Sequence, residues 1–182
     1  MSNAPTIPRL FDQTAQRRYR DRAAVGFGGF DFLKREAALR IADRLELMRR
    51  DFPLCLDFGC HDGTLTREIR ATDKVGTVIQ ADPAAGFAAH AADCGPAVVT
   101  EYDRLPFAAA SFAAVFSCLT LHWVDDLPGV MAQMRRMLKP DGLCLVNLLG
   151  GATLTELRAA LLEAEQALSG GAGPRTAPMA DL

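Results

Sequence analysis

"PLCLDFGCHDGTL", residues 53–65, runs from a short apolar stretch through an acid into two glycines spaced around a histidine. The pattern reads as the end of a buried strand and a tight turn into a helix. Gly59 and Gly63 permit close backbone approach, and the new helix presents free N–H groups to an anion. In a doubly wound α/β sheet this first strand-to-helix turn is the usual ligand site, beyond the carboxyl ends of the strands. Asp57 closes the strand and can meet a cation.

The spacing selects among ligands. A dinucleotide fold carries G-x-G-x-x-G, which seats a pyrophosphate on the helix end. Here it is Asp-x-Gly-x-His-x-Gly, and the carboxylate would repel a diphosphate. This argues against an NAD-dependent oxidoreductase. A ligand with an ammonium and a carboxylate fits better, and the amino-acid end of S-adenosylmethionine has both. Asp82 ends the next apolar run, where an acid accepts hydrogen bonds from ribose hydroxyls. The competing reading of the turn is a plain αβ connection capped by Asp62.

Outward from this turn, residues 9–24 and 31–50 read as helices separated by "GFGGF". Apolar runs at 54–58, 75–81, 96–100, 111–119 and 142–150 then alternate with amphipathic stretches near 64–71, 84–93 and 127–138. Strand alternating with helix predicts an α/β, doubly wound parallel sheet. Thr153 and Glu156 form a capping-box pattern for a last helix running to about Leu168. The organisation expected is a helical segment at 1–50, a ligand-binding domain at 51–168 and a flexible tail at 169–182.

Composition narrows the function classes. The net charge of -2 gives no global attraction to nucleic acid, although five of the fourteen residues from Arg9 to Arg22 are arginines. Those arginines are read as a solvated helix face, with recognition of an acidic partner as the alternative. Five cysteines without a CxxC pair suggest reduced thiols of a cytoplasmic or matrix protein and no metal site. No apolar run is long enough to span a membrane.

With these residues in hand, the chain resembles the class I S-adenosylmethionine-dependent methyltransferases over about residues 50–150. "DFGCHDG" is similar to their first motif, and "EYDRLPFAAASFAAVFSCLTLHWVDDLPGVMAQMRRMLKPDG" to their later ones. "LFDQTAQRRYRDRAA", "FDFLKREAALRIADRLELMRRDFP" and "LLGGATLTELRAAL" resemble the complex I assembly factor 5-like subfamily over nearly the whole chain. Members concerned with biotin synthesis, which methylate malonyl thioesters, share "LHWV" more distantly.

The resemblance implies S-adenosylmethionine as cofactor, bound by Asp57, Gly59, Cys60, Gly63, Asp82, Glu101 and Tyr102. Glu101 is expected at adenine, with Asp103 as the competing acid. It implies methyl transfer, with arginine hydroxylation of a complex I subunit or a non-catalytic assembly role as alternatives. The catalytic residue stays unassigned. His122 is the one candidate base and also reads as structural, while Trp123 reads as a cofactor lid or a core residue. Met131, Met134 and Met137 are read as core filler. Gly170, Gly171, Pro174 and Arg175 resemble a substrate-side loop.

Two departures stand out. His61 replaces a glycine of the first motif, at a place where positive φ is expected. Five of the family's seven strands are present, so the chain reads as C-terminally truncated and its fifth strand as an exposed apolar edge. Low solubility or dimerisation is the expected result. A sharp monomeric peak in size-exclusion chromatography with light scattering would contradict it.

Overall fold

The computed structural model describes residues 9–171 and Gly173. Two helices lead, α1 (Gln13–Ala24) and α2 (Phe32–Glu46), and the alternation then begins. It runs β1 (Phe52–Phe58), α3 (Thr64–Arg70), β2 (Val75–Asp82), α4 (Ala85–Ala91), β3 (Ala97–Val99), β4 (Phe112–Cys118), α5 (Leu127–Met137) and β5 (Leu138–Asn147). The sheet is parallel, in the order β3-β2-β1-β4-β5. The order therefore reverses between β1 and β4, which makes their carboxyl ends the crevice where such sheets take ligands.

Strand periodicity divides the core between the two faces. Cys55, Ala114, Phe116 and Cys118 pack with Ala38, Ile41 and Leu45 of α2 and with Leu65 and Ile69 of α3. Leu56, Phe58 and Val115 face the other way, toward Tyr102, Leu121 and the Val130, Met134 and Met137 stripe of α5. The methionine reading is corrected at Met131, which is exposed because it falls one position off that stripe. At β5 a bulge steps from the Phe112–Leu138 pair to the Ala114–Leu143 pair, so "KPDG" is extruded and Asp141 takes a left-handed φ of 60°. Among the described residues, β5 pairs with no strand besides β4.

The chain divides into two compact units, Met1–Leu148 and Leu149–Leu182. The N-terminal helices thus share a unit with the sheet. The second unit holds α6 (Thr155–Ser169), which buries no residue. Its expected capping box does not form. Leu154 takes the N-cap position in a left-handed conformation, without a side-chain cap bond. Glu156 thereby moves one position forward, where it still complements the helix dipole. Gly170 ends the helix at φ 65°. Pro174 and Arg175, two of the four residues read as a substrate-side loop, lie outside the described residues.

Candidate functional site

The turn after β1 is built on Ala81 of β2. Its carbonyl accepts the Gly59 N–H at 2.7 Å and the Cys60 N–H at 3.1 Å. Gly59 has φ 73°, and a Cβ there would run into the side chain of Thr120, so packing of the chain on itself already demands glycine. His61 follows at φ 53° and Gly63 at φ 81°. Asp62 caps α3 from one residue upstream, its Oδ1 accepting the Thr64 N–H at 3.2 Å and the Thr64 hydroxyl at 2.7 Å. The capped connection expected of Asp62 is therefore present in this segment.

Asp57 is wholly buried, one oxygen accepting the Thr66 hydroxyl at 2.9 Å and the other without a partner. Burial pushes its carboxyl up to about 6, against the attraction of Lys34 and the Thr66 hydrogen bond. The Lys34 ammonium is itself buried. It donates to the Gly59 carbonyl at 3.1 Å and the Cys118 carbonyl at 2.7 Å, joining the ends of β1 and β4 at the point where the strand order reverses.

Asp82 is also fully buried. Its Oδ1 accepts the Ala84 N–H at 2.9 Å, and its Oδ2 accepts the His61 N–H at 3.0 Å and the Arg20 guanidinium at 2.6 Å. The first turn and the end of β2 are thus fastened together through one carboxylate. Arg20 donates also to His61 Nε2 at 2.7 Å and lies against the rings of Phe87 and Tyr102, 5.1 and 5.7 Å from their centroids. A guanidinium only donates, so His61 carries its proton on Nδ1, where the buried N–H has no partner. The Tyr102 hydroxyl is likewise unpartnered, and burial pushes its ionisation up.

The remaining expected residues are arranged less tightly. Glu101 is exposed and pairs with Arg17 at 3.3 Å. Asp103 is partly buried, taking Gln13 Nε2 and, at 3.3 Å, the Asp126 N–H. Cys60 is buried and burial raises its thiol well above the usual range, so it lines the turn as an apolar group. His122 sits in a single 3-10 turn, Leu121–Trp123, and Trp123 packs on the second core cluster and edge-on to Phe11. The packing reading of Trp123 holds. Reading the arginines as a solvated face fails for Arg20. The stripe Gln13, Arg17, Arg20, Ala24 is the face of α1 turned to the site, because its partners there are acids.

The two site histidines give an acid-side signature. Burial, with Lys34 and Arg20 adding to it, lowers His61 well below its usual range and His122 to about 4. A base with a depressed folded pKa stabilises the fold above its unfolded value, near 6.5, and loses that contribution as pH falls toward the folded value. Asp57 has the opposite sign, its raised pKa costing stability as pH rises from about 4 through about 6. Thermal melts should show the His122→Asn variant losing less than the wild type between pH 7 and pH 5, by up to about 1 kcal/mol once solvent screening of this half-buried ring is allowed for. Parallel pH dependences would contradict the assignment.

Sequence reasoning missed Lys34, although it stands on the apolar stripe of α2 with Ala38, Ile41 and Leu45, where a lysine needs a buried partner. It missed Thr66, Phe87 and Thr120 as well, since their roles depend on contacts across elements.

Comparison with known proteins gives the family and bears out the fold. The methyltransferase domain family profile matches residues 56–146, half of the chain. The chain is 37% identical to the mitochondrial arginine-hydroxylase NDUFAF5 of Mus musculus over 97% of its own length and 53% of that protein's. It is 36% identical to the malonyl-[acyl-carrier protein] O-methyltransferase of a Methylovorus species, over 83% and 55% of the two lengths. The chain thus spans about half the length of the curated relatives it matches. Among solved structures, a S-adenosylmethionine-dependent methyltransferase of Thermotoga maritima superposes with a TM-score of 0.62 at 17% identity, over 81% of this chain and 69% of that one. That likeness bears on the fold.

Proposed function

The chain belongs to the methyltransferase domain family, whose cofactor is S-adenosylmethionine, and from that premise we propose that the residues around Asp82, at the carboxyl ends of β1 and β2, bind this cofactor for transfer of its methyl group to an acceptor. The observation that carries the reading is Asp82 itself: a fully buried carboxylate at the end of β2, hydrogen-bonded to the His61 N–H of the first βα turn. Burying a carboxylate is costly unless donors meet it. A ribose diol supplies two, and the unpartnered Nδ1–H of His61 and hydroxyl of Tyr102 lie around the same guanidinium that now fills the place. The residues present therefore fit the group.

In this reading Asp82 would hold the ribose hydroxyls, the turn from Asp57 through Gly59 and Cys60 to Gly63 would shape the amino-acid end, and Glu101 and Tyr102 would hold the base. The bound cofactor supplies an electrophilic methyl on its sulfonium. The protein's share is to align that methyl with the acceptor and exclude water. His122, with its pKa lowered to about 4, is a weak base at neutral pH, so its part is structural.

A second reading is arginine hydroxylation, favoured by the name of the Mus musculus relative and resting on likeness over about half of that protein, with a place in complex I assembly implied by the subfamily resemblance. Mass spectrometry of malonyl-acyl carrier protein and of a complex I subunit, each incubated in air with the chain, S-adenosylmethionine and a reductant, so that dioxygen can supply a hydroxyl oxygen and the reductant the accompanying electrons, separates the readings. Methyl transfer adds about 14 Da and hydroxylation about 16 Da. Cofactor binding with neither change would favour a non-catalytic assembly factor.

A further inference from the structure

We propose that Arg20 is an internal competitor of the cofactor: its guanidinium occupies the nucleoside subsite, and α1 must release Asp82 before the ribose can bind. The inference rests on the cofactor reading above and adds a coupling between site occupancy and the docking of α1.

The argument is one of capacity. A carboxylate offers about four acceptor positions. Three on Asp82 are taken, by the Ala84 N–H, the His61 N–H and Arg20. The first two are backbone groups of the β2 end and the first turn, so they stay. A diol needs two positions, and the Arg20 guanidinium is the ligand that can leave. It also fills the slot against Phe87 and Tyr102, which gives a nucleoside no room while it is there.

The arrangement is built to reverse. Helix α1 packs its one buried residue, Ala24, and the Arg20 guanidinium against α4, and the rest of its attachment is polar, on the sheet's carboxyl side. Beyond Arg20, Asp21 Oδ1 accepts the Gly86 N–H at 2.9 Å and Arg17 pairs with Glu101. The Leu10 and Phe11 N–H groups reach Asp125 Oδ1 at 2.8 and 3.0 Å, and Ala24 of α1 is its one buried residue. The exposed contacts contribute little each, so the cost of undocking is concentrated in the buried Arg20–Asp82 pair, whose hydrogen bond the incoming ribose hydroxyls replace on Asp82. The apparent affinity for the cofactor is then its intrinsic value reduced by the fraction of molecules with Arg20 withdrawn.

The test uses S-adenosylhomocysteine, which binds without reacting, in calorimetric titrations of the wild type, Arg20→Gln and Asp21→Ala. Arg20→Gln removes the competitor, while Asp21→Ala loosens α1 without touching the pocket. Both should bind more tightly than the wild type, Arg20→Gln by roughly tenfold. Saturating ligand should also speed tryptic cleavage of the wild type at Arg17, Arg18, Arg20 or Arg22. Weaker binding by Arg20→Gln, or ligand protection of α1, would overturn the proposal and make Arg20 a cofactor contact. Equal binding by all three, abolished by Asp82→Asn, would overturn it while leaving the cofactor site standing. Binding by none of the three folded proteins would overturn both.

Discussion

In an Arg20→Gln background, Asp82→Asn should weaken S-adenosylhomocysteine binding by roughly a hundredfold, the loss of charge-assisted bonds to two ribose hydroxyls. The background matters because Asp82 has two suitors. In the wild type the same substitution also frees Arg20, so the measured loss should be smaller by the factor that Arg20 withholds. The Asn side chain keeps the volume of Asp82 and can still accept one of the two backbone N–H groups, from His61 and Ala84, that hold the turn and the strand end. Titration of the four proteins of this cycle gives the coupling between Arg20 and Asp82 directly. Additive effects would mean that guanidinium and ligand do not share the carboxylate.

Lys34→Met should destabilise the fold by about 2–4 kcal/mol, the range expected when a buried charged donor is lost and its neighbours are left uncompensated. The Gly59 and Cys118 carbonyls would keep only the Thr120 hydroxyl between them. Asp57 would lose the strongest influence holding its pKa down, so its carboxyl would rise further above 6. Asp57→Asn should recover part of the loss in the double variant. Urea denaturation at pH 8 measures this, since Asp57 is ionised there in the wild type. A loss below about 0.5 kcal/mol would place Lys34 outside the structural framework.

Much of the frame is readable from residues 53–65 outward. The five apolar runs became the five strands; β1 and β4 are continuously apolar as parallel strands covered on both faces must be, while β3 and β5 lie at the ends of the strand order and bury no residue. Asp57 and Asp82 could be placed at strand ends because each closes such a run. What the sequence concealed lies in contacts between distant elements. The arginines of α1 look alike in a list, and only the face shared by Gln13, Arg17, Arg20 and Ala24 distinguishes those that meet acids from those in solvent. Lys34 was hidden by the same limit: its spacing puts it on the buried stripe of α2, yet its partners, two backbone carbonyls, have no signature in residue identity. The capping box of α6 failed for a local reason, since a shift of one residue at Leu154 removes the reciprocal pair.

His61 connects the legible and the hidden parts. Its left-handed backbone is what the motif's glycine would have supplied, so the turn survives the substitution. Its ring then does what glycine could not, stacking between Phe27 and Phe87 and accepting from Arg20. The replacement and the docked arginine belong to one arrangement.

The most direct test of the cofactor site is a calorimetric titration of the Arg20→Gln protein with S-adenosylhomocysteine, with NAD titrated in parallel. Saturable binding of one S-adenosylhomocysteine per chain, with no heat from NAD, is the predicted result. Binding of NAD, or no binding of S-adenosylhomocysteine by protein with a cooperative melt, would contradict it.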